Sequence, residues 1–212
     1  MAKKKQLPEE VAHSEAYVKD FFDMAVPSAI RFNVDHFICG DSYRSVWAIR
    51  EYPPQTSDQA LLARFGDKEA VTVHLYTRLV DGVEQRKILQ NASRKNKLLA
   101  NSNDLEDSVT GEGNLGDVVE LLGELRKNRE PLLHCAVFIE LSAGNLDKLR
   151  ELQSDVSMEM TREKISVDHL SMRQKEGFIA CMPCGYNIFG TQYERVLPAS
   201  AVANLFPFNY SG

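Results

Sequence analysis

A nearly continuous apolar run from Leu132 to Leu141 constrains the fold of this chain more than any other feature of its sequence. A strand with one face in water alternates apolar and polar residues, whereas an almost unbroken apolar run is typical of a strand covered on both faces. The run therefore predicts a central strand. With 212 residues, 43% of them hydrophobic, the chain is long enough for one substantial core or two small ones.

The patterns around this strand predict an α+β (mixed α/β) fold. Two runs rich in β-branched and aromatic residues, 30–38 and 45–52, flank the turn sequence Gly40-Asp41-Ser42, and together they predict an N-terminal β-hairpin. We expect alternating helices and strands to follow and to form a mixed sheet covered by helices. These elements are a short helix around 58–65, a half-buried strand over 71–80, helices over 83–99 and from 117, a helix capped at 145, a strand–helix pair over 165–182 and a tail over 196–208.

Domain organisation and location follow from composition and from the spacing of apolar residues. We expect residues 1–25 to form a tail with an amphipathic helix and residues 26–212 to form one α/β domain. No apolar stretch approaches the roughly 20 residues that span a bilayer, and no secretory signal follows the basic start. Four scattered cysteines fit a reducing compartment, so we expect a cytoplasmic protein. The net charge of −5 does not favour nucleic acid as the partner.

Residues 111–116 match the dinucleotide fingerprint G-x-G-x-x-G, and a capped helix is predicted to follow them. The fingerprint works when a hydrophobic strand delivers the glycines beneath a pyrophosphate. Here the preceding residues 103–108 are polar and acidic and would repel phosphate. We therefore interpret residues 101–116 as a connector and predict no dinucleotide site.

Cys181 and Cys184 form a C-x-x-C motif, which is typical of redox pairs and of half zinc sites. Cys181 is predicted at the C-terminal end of a helix that Pro183 stops, where the helix dipole disfavours a thiolate. Zinc needs two more ligands, and the sequence has no second C-x-x-C and no H-x-x-x-H. We interpret the cysteines as small apolar side chains beside a turn.

The five histidines do not predict a catalytic constellation. His134 shares a face of the central strand with Ala136 and Phe138, so we expect it to be mostly buried and hydrogen-bonded, with Glu140 too far along the strand to pair with it. His74 lies on the polar face of its strand. The remaining ones have no acidic or thiol neighbour at ligand spacing: His13, His36 and His169. We therefore predict no catalytic, cofactor-binding or metal-binding residues.

Two surface features are candidates for contact with other molecules. The helix over 83–99 has a basic exterior that either contacts phosphates or an anionic membrane or is simply solvated, and the acidic residues after it offset its field. Its basic residues are Arg86, Lys87, Arg94, Lys95 and Lys97. The aromatic stripe of Tyr17, Phe21 and Phe22 is interpreted as a docking face against its own domain in preference to a membrane anchor. Of the two, the stripe is the better candidate for a partner site.

The sequence lacks a phosphate-binding loop of the form G-x-x-x-x-G-K-[ST], because it contains neither Gly-Lys-Ser nor Gly-Lys-Thr. The chain therefore cannot cradle the β- and γ-phosphates of a nucleotide in the P-loop manner. We predict that it does not hydrolyse ATP and is not itself an enzyme.

Short segments occur in a suggestive order along the chain. The first ones are Asp20-Phe21-Phe22, Val26-Pro27-Ser28-Ala29-Ile30, Asp35, Gly40-Asp41-Ser42-Tyr43 and Ile49-Arg50-Glu51-Tyr52-Pro53. The later ones are Gln174-Lys175-Glu176-Gly177-Phe178, Met182-Pro183 and Leu205-Phe206-Pro207-Phe208. In this order they resemble the N-terminal domain of the conjugal transfer ATPases of type IV secretion systems, particularly the Gram-positive type. The resemblance covers nearly the whole chain.

The resemblance implies that residues 26–212 are the N-terminal domain of a larger ATPase, whose RecA-like motor domain with its ATP and Mg lies beyond this sequence. In that family the N-terminal domain contacts membrane subunits of the channel at the inner face of the membrane, and the motor oligomerises. We therefore expect a non-catalytic interaction and positioning domain. The alternative is a self-contained cytosolic α/β enzyme or redox protein that uses Cys181 and Cys184.

Overall fold

The computed structural model describes residues 29–53, 62, 65, 68–100, 130–183 and 185–205. The strands are β1 (Ile30–Phe32), β2 (Phe37–Cys39), β3 (Ser42–Glu51), β4 (Val71–Leu79), β5 (Leu132–Ala143), β6 (Ser166–Asp168) and β7 (Arg195–Pro198). The helices are α1 (Gly82–Ala100), α2 (Leu146–Arg162), α3 (Gln174–Cys181) and α4 (Ala199–Ala203). A 3₁₀ turn spans Gly190–Gln192.

The seven strands form one sheet, which confirms the predicted α+β class. The order along the sheet is β1-β2-β3-β5-β4, with β6 paired to β3 and β7 paired to β5. Every pairing among the described strands is antiparallel. Because β4 and β3 flank β5, the longest apolar run of the sequence lies inside the sheet, as predicted.

Both faces of β5 are buried, and its alternating side chains enter two separate cores. Cys135, Val137, Ile139 and Leu141 face α2 and α4 together with Trp47 of β3. Ala136 and Phe138 face the opposite side, where α3 and the segment after it contribute a second cluster that includes Ala180, Cys181, Phe189 and Tyr193. The sheet is therefore the middle layer of the described structure, and α3 covers the face that carries the polar groups considered below.

The N-terminal hairpin is confirmed, but its first arm is not one strand. β2 and β3 meet at Gly40, whose φ of 58° lies in the left-handed region that glycine adopts without strain. The run predicted as one strand, 30–38, divides into β1 and β2, which pair with each other. The amide of Asn33 donates to the carbonyl of His36 at 2.9 Å and closes the turn between them. This turn makes a three-stranded meander out of the hairpin.

The structure tests the predictions for the start of α2 and for the C-terminal region. The side chain of Asn145 accepts a hydrogen bond from the amide of Lys148 at 2.8 Å, which confirms the predicted N-cap of α2. The C-terminal region predicted as a tail instead contributes β7 and α4 to the fold. β7 is short, and its pairing with the start of β5 stabilises it as a strand.

Several predicted features lie outside the described residues. They are the tail and amphipathic helix of residues 1–25 with the aromatic stripe, the short helix around 58–65 except Leu62 and Phe65, the connector 101–116, the helix from 117, and Cys184. Leu62 and Phe65 are both fully buried in the α2-side core. In the part of the chain that the structure describes, no helix combines the length and apolarity that a membrane span requires.

Gln174, the first residue of α3, completes the hydrogen bonding of β3. On the edge of β3 away from β5, Arg44 pairs with β2 and Ala48 pairs with β6, which leaves Val46 between them. The Gln174 carboxamide fills this gap, because Oε1 accepts from the Val46 amide at 2.9 Å and Nε2 donates to the Val46 carbonyl at 3.1 Å. One buried side chain thus takes the place of a strand residue and fixes α3 against the sheet.

Gly177 lets α3 approach the sheet closely at the same point. A Cβ atom on Gly177 would lie 2.9 Å from Cβ of Val46 and 3.2 Å from a methyl group of Leu170. Real Cβ atoms do not approach each other as closely as the first of these distances. Val46 is held in place by β5 on one side and by Gln174 on the other. The residue type at this position therefore sets the distance between the helix and the sheet.

We predict that Gln174→Met lowers the free energy of unfolding by at least about 2 kcal/mol, because it leaves the buried amide and carbonyl of Val46 without a partner. Urea unfolding followed by the fluorescence of Trp47, the single tryptophan of the chain, measures the change. Gln90→Met on the exposed side of α1 is the matched control and is expected to have little effect. Equal effects of the two substitutions would contradict the assigned role of Gln174.

Candidate functional site

A polar cluster on the α3 side of the sheet is centred on Glu140 of β5. We call Arg44, His74, Glu140 and Cys181 the Glu140 cluster. Arg44 on β3 and His74 on β4 flank Glu140 diagonally, one on each neighbouring strand. Arg44 Nη1 donates to Glu140 Oε1 at 3.0 Å, while His74 Nε2 lies 3.7 Å from Oε2. The two carboxylate oxygens therefore face different partners.

Cys181 reaches the same cluster from α3, of which it is the last residue. The ring nitrogen of His74, a carboxylate oxygen of Glu140 and the Sγ atom of Cys181 all lie within 4.8 Å of one another. Tyr76 lies two residues after His74 on the same face of β4. Its Oη donates to the carbonyl of Ala180 at 2.6 Å. This bond fixes the end of α3 over β4 and thereby positions the thiol of Cys181.

The protonation states in the cluster follow from burial and from charge. Burial alone would raise the pKa of the Glu140 carboxyl, but contacts with His74 and Arg44 outweigh it and hold the pKa below its ordinary value. Burial is the larger of two causes that raise the pKa of the Cys181 thiol well above its ordinary value. The negative charge of Glu140 is the smaller cause. At neutral pH the cluster therefore contains a carboxylate and a protonated thiol.

The chemical groups of this cluster suit metal binding better than nucleophilic catalysis. A thiol held protonated by burial is a poor nucleophile, and α3 ends at Cys181, where its dipole also disfavours a thiolate. Imidazole nitrogen, carboxylate oxygen and thiolate sulfur are, in contrast, the three ligand types that proteins offer to zinc. His74 Nε2 is buried and has no hydrogen-bond partner.

The ligands of this cluster have no regular spacing along the sequence. His74, Glu140 and Cys181 lie on β4, β5 and α3, and only the pairing of the strands and the docking of the helix bring them together. One signal was present in the sequence, namely a glutamate within the nearly continuous apolar run of β5. A buried carboxylate requires a partner, so its position on a two-sided buried strand indicates a polar contact.

His134 belongs to a second polar cluster at the other end of β5. Its side chain is 9% exposed, and its Nε2 lies 2.9 Å from Oε1 of Glu84 on α1, which confirms the prediction of a mostly buried, hydrogen-bonded histidine. Its Nδ1 lies 3.5 Å from Glu194, and Arg78 contacts both carboxylates. Each charge in this group has an opposite charge beside it. The cluster therefore serves to attach the start of α1 to the sheet.

Asp168, the last residue of β6, forms a third cluster beside the turn that leads into α3. Its carboxylate accepts hydrogen bonds from Tyr193 Oη at 2.7 Å and from the amide of Leu170 at 3.2 Å, and Arg50 lies 3.6 Å away. Burial alone would raise the pKa of Asp168, but these three contacts outweigh it and hold the pKa below its ordinary value. The ionised carboxylate thus stabilises the turn before Gln174.

The other residues considered from the sequence do not converge on a site. His36 contacts the carboxylate of its neighbour Asp35 at 2.7 Å, and His169 stacks on Trp47 with ring centres 4.2 Å apart. Cys135 is buried on the opposite side of the sheet from Cys181. The basic residues of α1 with described side chains are all exposed: Arg86, Lys87 and Arg94. His13 lies outside the described residues.

Comparison with known proteins does not assign the chain to a family. No protein-family model matches the sequence, and no curated protein matches it either.

We predict that Tyr193→Phe destabilises the protein by about 1 kcal/mol at neutral pH, because it removes a hydrogen bond to the ionised carboxylate of Asp168. Since the folded-state pKa of Asp168 lies below the unfolded value, this contribution is fully present above about pH 4 and is lost as the pH falls through the folded-state pKa. The difference between the variant and the original protein should therefore shrink on acidification. Urea unfolding between about pH 3 and 7 measures it.

The exposed Tyr186 provides the control, since Tyr186→Phe removes a hydroxyl at a position where the ring is 62% exposed. This control should show no pH-dependent difference from the original protein. A deficit of Tyr193→Phe that stays constant over the whole pH range would show that the hydroxyl does not act through the charge of Asp168.

Proposed function

We propose that this chain is the non-catalytic interaction and positioning domain of a conjugative DNA-transfer ATPase of a type IV secretion system. The observation that carries the proposal is the ordered set of segments that resemble that family. In the parent protein a RecA-like motor with ATP and Mg would follow this domain. The domain itself would contact membrane subunits of the channel at the inner face of the membrane, and oligomers would form through the motor.

The places of the resembling segments in the fold support this proposal. The early segments within the described residues contribute to β1 and β3, and the segment from Gln174 to Phe178 forms most of α3. These two groups are far apart in sequence, yet they lie on elements that are bonded to each other, since Gln174 bonds to the backbone of Val46, which lies on β3 between Tyr43 and Ile49. Segments from both groups thus lie on β3 and α3, two elements that are bonded to each other, as expected for a positioning domain.

The chemistry of the buried polar groups also fits a scaffold. Glu140 is paired with Arg44. His134 contacts both Glu84 and Glu194, and Asp168 is bonded to a tyrosine hydroxyl and a backbone amide. These contacts connect β3, β5, β6, α1 and the turn before α3. Perturbed pKa values occur in structural networks as well as in catalytic sites. Here Glu140 and Asp168, whose pKa values are shifted, each bond to a group on another element, which supports a structural role.

The proposed contact with membrane subunits has a candidate surface in the aromatic stripe of Tyr17, Phe21 and Phe22. Large aromatic side chains are enriched at the centres of protein interfaces. The stripe precedes β1 in the sequence, so a partner bound there would be connected to the edge of the sheet through a short segment. The basic exterior of α1 remains a second surface for an anionic partner or for solvent.

We predict that the 212-residue chain shows no binding of Mg-ATP in isothermal titration calorimetry, because no Gly-Lys-Ser or Gly-Lys-Thr is present to hold the phosphates. A chain extended through the motor domain of the parent protein is the control and should bind. Tight, Mg-dependent binding by the 212-residue chain would overturn the non-catalytic assignment.

We predict that the chain co-purifies with the membrane subunits of its transfer channel and that Phe21→Ser combined with Phe22→Ser reduces the recovered amount by about tenfold, as expected when one interface anchor is lost. Met158→Ser on α2 is the matched control, because Met158 is an apolar side chain that is 62% exposed and lies far from the stripe in sequence. Co-purification of channel subunits that is unchanged by the double substitution would exclude the stripe as the contact surface. Failure of the original chain to co-purify with any channel subunit would contradict the proposed function.

A further inference from the structure

We propose that His74, Glu140 and Cys181 bind one zinc ion, through Nε2, Oε2 and Sγ, and that the ion stabilises the attachment of α3 to the sheet. The proposal rests on the meeting of three ligand types from three elements, with all ligand atoms within 4.8 Å of one another. It does not depend on the proposed function. It departs from the prediction of no metal ligands, because that prediction considered only spacing along the sequence.

The distances fit zinc after a small adjustment. Zn–N and Zn–O bonds of about 2.0 Å and a Zn–S bond of about 2.3 Å place the ligand atoms of a tetrahedral site roughly 3.3–3.6 Å apart. His74 Nε2 and Glu140 Oε2 are already 3.7 Å apart. Bringing Sγ of Cys181 from within 4.8 Å to that range requires a movement on the order of 1 Å, which side-chain rotation can supply.

The orientation of the donors favours the same atoms. Arg44 occupies Oε1 of Glu140, so Oε2 is directed toward His74, and a hydrogen bond to a ligating carboxylate is a common outer-shell contact of metal sites. His74 Nε2 is buried without a hydrogen-bond partner, which a bond to a metal would satisfy. These two observations concern different residues and both point to the space between them.

The charges are also compatible with a divalent cation. A thiolate and a carboxylate together neutralise Zn²⁺, and Arg44 adds one positive charge at the edge of the cluster. α3 ends at Cys181, so the partial negative charge of its C-terminus lies beside the ion. On binding, the S–H bond of Cys181 breaks, the sulfur binds the metal, and the proton is released to solvent. Binding should therefore strengthen as the pH rises.

The position of the end of α3 explains what the ion would stabilise. Tyr76 already bonds the carbonyl of Ala180, and a Cβ on Gly185 would collide with the carbonyl oxygen of Ile179, so the chain is tightly folded around this helix end. A metal that joins Cys181 to β4 and β5 would connect the same helix end to two strands. It would thus reinforce the contact that the Tyr76 hydrogen bond and apolar packing already make.

The test uses Zn²⁺ and Co²⁺ with the metal-free 212-residue chain under reducing conditions. We expect one Zn²⁺ per chain after dialysis, and a rise in Tm of about 5 °C at a free zinc concentration about a hundred times the Kd. Co²⁺ should give a thiolate-to-cobalt charge-transfer band, and the addition of metal should release protons. Absence of both the Tm rise and the cobalt band in the original protein would overturn the proposal.

Two variants test proposed ligands, and a third is the control. Cys181→Ser should abolish the cobalt charge-transfer band, and His74→Gln should weaken binding more than about 100-fold, beyond the effect of losing an outer-shell partner. Cys39→Ser is the control, because Cys39 is a free thiol outside the cluster, and it should bind metal as the original chain does. Circular dichroism shows which variants fold. Retention of the cobalt band and affinity in His74→Gln would show that Cys181 binds metal with other ligands and would overturn the site.

If a ligand variant does not fold, measurements on the original chain still test the proposed site. A proton release that accompanies binding and a cobalt band that shows thiolate ligation together support the site. Binding of zinc without a thiolate band would overturn it, because Cys181 would then not be a ligand.

Discussion

Burial of β5 on both faces is the constraint on which the rest of the structure depends. The strand pairs with β3, β4 and β7, and its alternate side chains enter the α2-side and α3-side cores. A single covering layer would leave the apolar side chains on one face of such a strand exposed to water. Helices are therefore required on both sides of the sheet. Any polar side chain on it must also find a partner inside the protein. Glu140 and His134 are the two that do so.

The covering of the α3 face depends on a side chain that substitutes for a strand. The outer edge of β3 is paired by β2 at one end and by β6 at the other, and Gln174 supplies the hydrogen bonds between them. The turn before it contains Leu170 and Met172 at positive φ, a conformation that L residues rarely adopt. The hydrogen bond from the Leu170 amide to Asp168 and the bond from Gln174 to the Leu170 carbonyl hold this turn. The position of α3, and hence of Cys181, follows from these contacts.

The three polar clusters have a common physical character, since each joins elements that are distant in sequence. The cluster around His134 joins α1 to β5, the Asp168 cluster joins β6 to the segment that contains Tyr193, and the Glu140 cluster joins β3, β4 and α3. Buried charged groups are costly unless they are paired, so a scaffold that contains them is specific about which elements meet. This property suits a domain whose proposed task is to hold partners in a fixed arrangement.

The sequence by itself determined the features that depend on neighbouring residues. The apolar run predicted the central strand, Asn145 predicted the start of α2, and Gly40 predicted the turn of the hairpin. It did not predict the division of 30–38 into two strands or the pairing of β7 with β5, because a short strand is stabilised mainly by the strand beside it. Local periodicity carries no information about that neighbour.

Only the tertiary structure decided which polar side chains meet. His74, Glu140 and Cys181 have no common spacing in the sequence, and strand register together with the docking of α3 brings their ligand atoms within 4.8 Å. A shift of one residue in that register would turn His74 to the opposite face of the sheet. The sequence showed that β5 is buried and that it contains a carboxylate. The partners of that carboxylate depend on contacts across space, which the order of residues along the chain does not specify.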